Sequence, residues 1–166
     1  MAAERHTIRD GLAVGLIGYA AVALFYTLFD VLAARGPLHT VNVLGRAVFR
    51  GLRDPSVLQF PVDLDPGAML AYNALHFVIA LAIGFVVAAL VALAEENEAH
   101  RRLVRFMIAG GYFVTVAMVG LLTAPMREVV PWWSILVANA AAMALAGAYL
   151  SAKHPGLWRR LALAPA

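Results

Sequence analysis

The sequence predicts an all-α fold, an integral membrane four-helix bundle with a short interfacial amphipathic helix in its first loop. Three observations lead there. Of 166 residues, 63% are hydrophobic and 14% charged, where a soluble domain carries about 25% charged residues. The mean hydropathy of +0.79 reflects more apolar side chain than one soluble core can enclose, so lipid is the natural solvent for the surplus. The apolar residues also gather in four runs near the roughly 20 residues that cross a ~30 Å hydrocarbon core. Arg and Lys cluster between these runs, as they do beside membrane spans. Residues 1–166 thus read as a single transmembrane domain.

The first span covers about residues 11–34 and is interrupted only by Asp30. Arg5 and Arg9 precede it as they would in a leader peptide. The run is of full spanning length, however, and has no small-x-small cleavage site before Arg35, so it reads as a retained helix. The long first loop follows. At 100° per residue Val41, Leu44, Val48 and Leu52 share one face and Arg46, Arg50 and Arg53 gather opposite. This pattern predicts a helix lying in the membrane surface over about residues 40–53, as a lid over the bundle or as a docking surface. Pro55 ends it, and Pro61 and Pro66 favour an extended return segment from Phe60.

The second, third and fourth spans cover about residues 67–94, 106–124 and 131–152. Between the second and third, Glu95, Glu96 and Glu98 close one helix and Arg101 and Arg102 open the next. Both arrangements oppose the helix dipoles, so this link is expected to be held by water or a partner. Pro131 suits the first turn of the fourth helix, and Trp132 and Trp133 suit the headgroup boundary. Pro155 and Gly156 stop that helix, with Trp158, Arg159 and Arg160 expected at the opposite interface.

Four spans put both termini on one side. That side carries eight basic residues, Arg5, Arg9, Arg101, Arg102, Arg105, Lys153, Arg159 and Arg160, and the other carries five, Arg35, Arg46, Arg50, Arg53 and Arg127. The positive-inside rule places both termini in the cytoplasm.

Several functions are disfavoured. Without cysteine there is no disulfide, thiolate metal site or cysteine nucleophile. The net charge of +3 is modest and its basic residues form no single face for nucleic acid. No HExxH, GxSxG, Walker A or dinucleotide motif occurs, so the chain is expected not to be an enzyme. No span carries the Pro/Gly break that builds a midplane transport site.

Helices in lipid associate through close packing at small residues. Gly11, Gly15 and Gly18 mark the first span, Ala80, Gly84 and Ala88 the second, Gly110, Gly111 and Gly120 the third. In the fourth, Ala138, Ala142 and Ala146 form one stripe and Ala140, Ala144 and Ala148 another. These are candidate interfaces, either inside the bundle or toward another protein.

Polar groups at membrane depth are costly and mark candidate sites. His76 lies within the second span and shares a face with Asn73 and Tyr72, at i−3 and i−4. Asn139 lies at similar depth in the fourth span, so a His76–Asn139 hydrogen bond is expected, or one to a backbone carbonyl. Asp30 lies toward the same side and is expected to pair with Arg35 or Arg127, and that half of the bundle is expected to hold the polar cluster while the other is nearly featureless. His76, Tyr72, Asn73, Asn139 and Asp30 are the candidate ligand-binding residues. No cofactor is expected, and no metal. Haem on His76 would need a second ligand from another chain, because His6, His39, His100 and His154 lie outside the spans.

Two segments carry a resemblance. Pro131-Trp132-Trp133-Ser134, with Asn139, Tyr149-Leu150 and His154-Pro155, is one, and Tyr72-Asn73-Ala74-Leu75-His76-Phe77 followed by Gly84 is the other. They resemble uncharacterised small four-helix bacterial inner-membrane proteins. The resemblance implies a bacterial inner (cytoplasmic) membrane and no activity. The leading expectation is a non-catalytic accessory subunit of a larger, energy-transducing membrane complex. Its partners would be the lipid bilayer and other membrane subunits or a second copy, with no nucleic acid. The alternatives are a small homo-oligomeric transporter or channel, and a haem- or quinone-binding membrane subunit using His76.

Overall fold

A computed structural model describes residues 2–59 and 61–156, and its regular elements are all helical. The elements are α1 (Ala2–Leu32), α2 (His39–Arg50), α3 (Pro66–Glu96), α4 (Arg101–Leu122) and α5 (Trp132–Lys153), with short 3₁₀ turns at Pro55–Val57, Glu98–His100 and Ala124–Met126. Four helical segments are long and apolar enough to cross a membrane: His6–Leu32, Pro66–Glu96, Glu98–Leu122 and Trp132–Lys153. They correspond to the four expected spans, with the third starting earlier than residue 106. Trp158, Arg159 and Arg160 lie outside the described residues.

Each helix end has a local cause. Past α1, Ala34 takes a left-handed φ of 55° and the Arg35 amide reaches back to the Asp30 carbonyl, a helix-ending turn that usually uses glycine. Gly51 ends α2 in the same left-handed region, at φ 77°. Asp65 caps α3, accepting from the Ala68 amide at 2.9 Å, and Pro66 follows where its missing N–H is not needed.

The spanning helices form an up-down ring in which α1 lies between α3 and α5, and α4 closes the ring more sparsely. The α1–α3 contact is the closest. A Cβ on Gly84 would stand 2.4 Å from the Gly11 carbonyl oxygen, and one on Gly15 would stand 2.8 Å from Leu81 Cα. Gly11, Gly15, Ala80 and Gly84 therefore build an internal contact, where two backbones meet because no side chains intervene. Ala138 of α5 is buried, and Ala142 and Ala146 are half-buried. Nothing lies within 4 Å of a Cβ built on Gly18.

The first-loop helix is drawn into the end of the bundle. Seven of its twelve residues are buried, including Val43, Leu44 and Ala47. They join Leu58, Met126, Val129, Val130 and Ile135 in one apolar cluster. The inward face is thus not the Val41–Leu44–Val48–Leu52 stripe; Val48 is half exposed. Gly45 allows the crossing over α3, since a Cβ there would stand 2.5 Å from the Ala68 carbonyl oxygen. Asn42 and Arg46 tie down the return segment by donating to the Asp63 carbonyl, and Asn42 Oδ1 accepts from the Asp65 amide.

Candidate functional site

A cleft lies between α1, α2 and α3, with a volume of about 120 Å³. It gathers four of the five candidate residues, Asp30, Tyr72, Asn73 and His76, together with Tyr26 and Thr27. Antiparallel packing of α1 on α3 sets Tyr19 opposite His76, their rings 5.2 Å apart, and edge-on to Phe77 at 5.4 Å. The Tyr19 hydroxyl donates to Asn73 Oδ1 at 3.2 Å, and Asn73 Nδ2 donates to the Met69 carbonyl at 3.1 Å. Asn73 is therefore occupied in positioning Tyr19.

Asn139 is not part of this group. Its Nδ2 donates to the Ile135 carbonyl of its own helix at 2.8 Å. The expected His76–Asn139 bond is absent, because α1 takes the place beside His76. Among the described residues no hydrogen-bond partner stands at the His76 ring nitrogens or at the Tyr72 hydroxyl, whose ring lies 6.2 Å from that of His76. Both side chains line the cleft.

Asp30 is 1% exposed and performs a task the sequence did not reveal. Its Oδ2 accepts from the Thr40 amide and its Oδ1 from the Thr40 hydroxyl, both at 2.6 Å. A carboxylate on α1 thus caps the N-terminus of α2, whose free amides and dipole favour a negative group. Arg35, the expected partner of Asp30, instead donates to the Val129 carbonyl at 2.9 Å and lies over the Phe29 ring. Arg127 is exposed. Beside this pair, burial lowers the His39 pKa, the Asp30 charge works to raise it and Arg35 adds to the lowering; the net direction is down.

The opposite end of the bundle, expected to be nearly featureless, holds a second polar group. Asp10 on α1 is 4% exposed. It accepts from the Tyr149 hydroxyl at 3.0 Å and faces His154 Nε2 at 3.0 Å. The other imidazole nitrogen, Nδ1, lies 2.6 Å from Glu95 Oε1. Two carboxylates at the two ring nitrogens are best served by the charged imidazolium, which donates at both. Burial works to lower the His154 pKa, but the hydrogen bonds to Asp10 and Glu95 and their charges outweigh it and raise the value. The α3–α4 link is tied partly from within: Arg101, 6% exposed, bonds Glu98 and donates to the Ala94 carbonyl near the end of α3. In the same link His100 Nδ1 is buried without a hydrogen-bond partner among the described residues. The signal for this cluster was that Asp10, Glu95, Tyr149 and His154 all lie near span ends, which antiparallel packing brings together.

Among the described residues no three His, Asp or Glu side chains are placed so that they could hold one metal ion. No protein-family model matches the chain, and no match is found among curated proteins or solved structures.

Proposed function

We propose that the protein is a non-catalytic accessory subunit of a larger bacterial inner-membrane complex and that it meets its partner through α4. The observation that carries this reading is a contrast among glycines. Gly11, Gly15 and Gly84 have no room for a Cβ, whereas a Cβ on Gly110, Gly111 or Gly120 would meet nothing within 4 Å. A glycine inside a helix costs roughly 1 kcal/mol relative to alanine, and in lipid the compensation is close backbone approach. The α1–α3 contact supplies it within the chain. On α4 it is supplied by a helix of another membrane protein seated on Gly110 and Gly111. The surrounding Met107, Phe113, Val114 and Met118 are exposed apolar side chains that such a helix would cover. Both termini face the cytoplasm in this reading, following the excess of Arg and Lys at their end of the bundle.

The lack of native cysteine gives a direct test. A photo-crosslinker attached through Gly111→Cys should yield one discrete heavier protein adduct in native membranes. The same probe through Val78→Cys, at a site 61% exposed on α3, should yield lipid adducts alone. Lipid adducts alone at both positions would remove the basis for the proposal. An adduct of twice the chain mass would identify a second copy and replace the accessory reading with self-assembly.

A further inference from the structure

The cleft between α1, α2 and α3 has a polar inventory that the fold does not use up. Asp30 is committed to Thr40, Asn73 to Tyr19 and Met69, and the Tyr26 hydroxyl to Ser134 Oγ at 3.2 Å. Apart from Thr27 at the exposed rim, Tyr72 and His76 remain, and among the described residues neither has a hydrogen-bond partner for its polar atoms. Both residues are half-buried and line the cleft, so their polar atoms are open to an occupant. Two such groups one helical turn apart, on the same face of α3 and against the same cavity, call for a common acceptor.

We propose that the cleft binds the ring of a membrane-soluble quinone, with Tyr72 and His76 donating hydrogen bonds to its carbonyl oxygens.

Four properties select this chemistry. The occupant must accept hydrogen bonds, because the tyrosine hydroxyl is a donor and either neutral imidazole tautomer carries one N–H. It must be uncharged or nearly so: the buried Asp30 carboxylate on the cleft wall repels a phosphate or carboxylate. A flat ring suits the lining, in which Tyr26, Tyr72 and His76 stand among Val22, Leu38, Val41 and Leu44. And only the occupant's head can be enclosed. A volume of about 120 Å³ is well below the roughly 300–1,000 Å³ that encloses a whole drug-sized ligand. The remainder must lie outside, among the exposed Thr27 and Leu38 and the apolar surface beyond them. A ring with polar oxygens and an apolar tail satisfies all four conditions; a porphyrin macrocycle fails the last.

The test uses the full chain in detergent and a benzoquinone carrying a decyl tail, with equilibrium dialysis reading bound ligand. Binding should saturate at one quinone per chain. Tyr72→Phe removes one hydroxyl and leaves the ring, and it should weaken binding about fivefold, the equivalent of one net hydrogen bond. His76→Leu should weaken it similarly, and His76→Gln, which keeps an N–H donor, should recover part of the loss. Tyr112→Phe should change nothing, since that hydroxyl donates to the Leu136 carbonyl away from the cleft. Non-saturable uptake that is equal in all variants would mean partition into detergent and would overturn the proposal. So would a short-chain diacyl lipid that displaces the quinone and is itself weakened by Tyr72→Phe, because the cleft would then be a site for lipid ester carbonyls.

Discussion

The two ends of the bundle close their helices by different means. At the end capped by α2, closure rests on apolar burial around Val43, Leu44, Leu58 and Ile135, pinned by one carboxylate, Asp30, on one helix N-terminus. At the end where α1 begins and α5 stops, a second apolar cluster of Val14, Val91, Ala94, Val104 and Leu150 is joined by ionic and hydrogen-bonded contacts that link α1, α3 and α5 through His154. Burial beside the first arrangement pushes His39 toward its neutral form, and the two carboxylates in the second push His154 toward its charged form. The contrast teaches that one small bundle can carry two regions of opposite response to acid.

The largest expected effect comes from removing the pin at the α2 end. Asp30→Ala leaves the Thr40 amide and hydroxyl without acceptors in a buried place. Its cost should be about 3 kcal/mol, read by thermal unfolding in detergent. The loss should be local to the lid: a cysteine placed at Ala47, 2% exposed in the folded chain, should become reactive toward maleimide. If that position stays protected, α2 is held by packing and the capping role is minor.

Asp10→Ala should cost less, about 2 kcal/mol. It strands the Tyr149 hydroxyl, but His154 keeps Glu95. Labelling at Leu150→Cys, a position 5% exposed in the folded chain, should rise while Ala47→Cys stays protected. Equal labelling at both positions would show that the two ends unfold together.

The pH responses follow from the two histidines. His154 has a folded pKa raised above the ordinary value of about 6.5. Its contribution is therefore fully present below about pH 6.5 and is lost as pH rises through the raised value. His39 has a lowered pKa, so the α2 end loses stability as pH falls below about 6.5, where the unfolded chain takes up a proton more readily. Imidazole titrations by NMR, assigned with His39→Gln and His154→Gln, should place the two on opposite sides of 6.5. A shared midpoint would abolish the comparison. The smallest effect is expected for Arg50→Gln. The Arg50–Asp65 pair at 2.9 Å is solvent-exposed, and Asp65 keeps its capping bond to Ala68, so the melting curve should not move measurably.

Much of this architecture was legible from hydropathy, because lipid leaves few ways to satisfy a backbone. The four spans and the Pro131 start follow from local composition, whereas Pro66 reads as part of the extended return segment and the small-residue stripes stay open between internal and external contacts. Also legible was the grouping of Tyr72, Asn73 and His76, which a 3.6-residue period puts on one side of α3. What was not legible depended on which helix stands beside which. His76 and Asn139 share a depth but not a neighbourhood, because Tyr19 occupies the space beside His76. Asp30 reads as an ion-pair partner until α2 is seen to end against it. The face of α2 was misjudged for a related reason: amphipathicity against a membrane surface selects the arginine-free stripe, whereas burial in the bundle selects Val43 and Ala47, with Gly45 making room.

The glycine contact between α1 and α3 bears on how the chain assembles during synthesis. Its participants lie between Gly11 and Phe85, so every atom it needs has emerged before α4 is made. Two adjacent hydrophobic hairpin arms that meet backbone to backbone can close as soon as both have left the translocon, without later segments. The α5 helix then docks on a surface of α1 already in place, through Tyr26–Ser134 at one end and Asp10–Tyr149 at the other. The ribosome thus delivers the closely packed pair α1 and α3 first, and then α4, the most sparsely contacted span, while the dock for α5 is still empty.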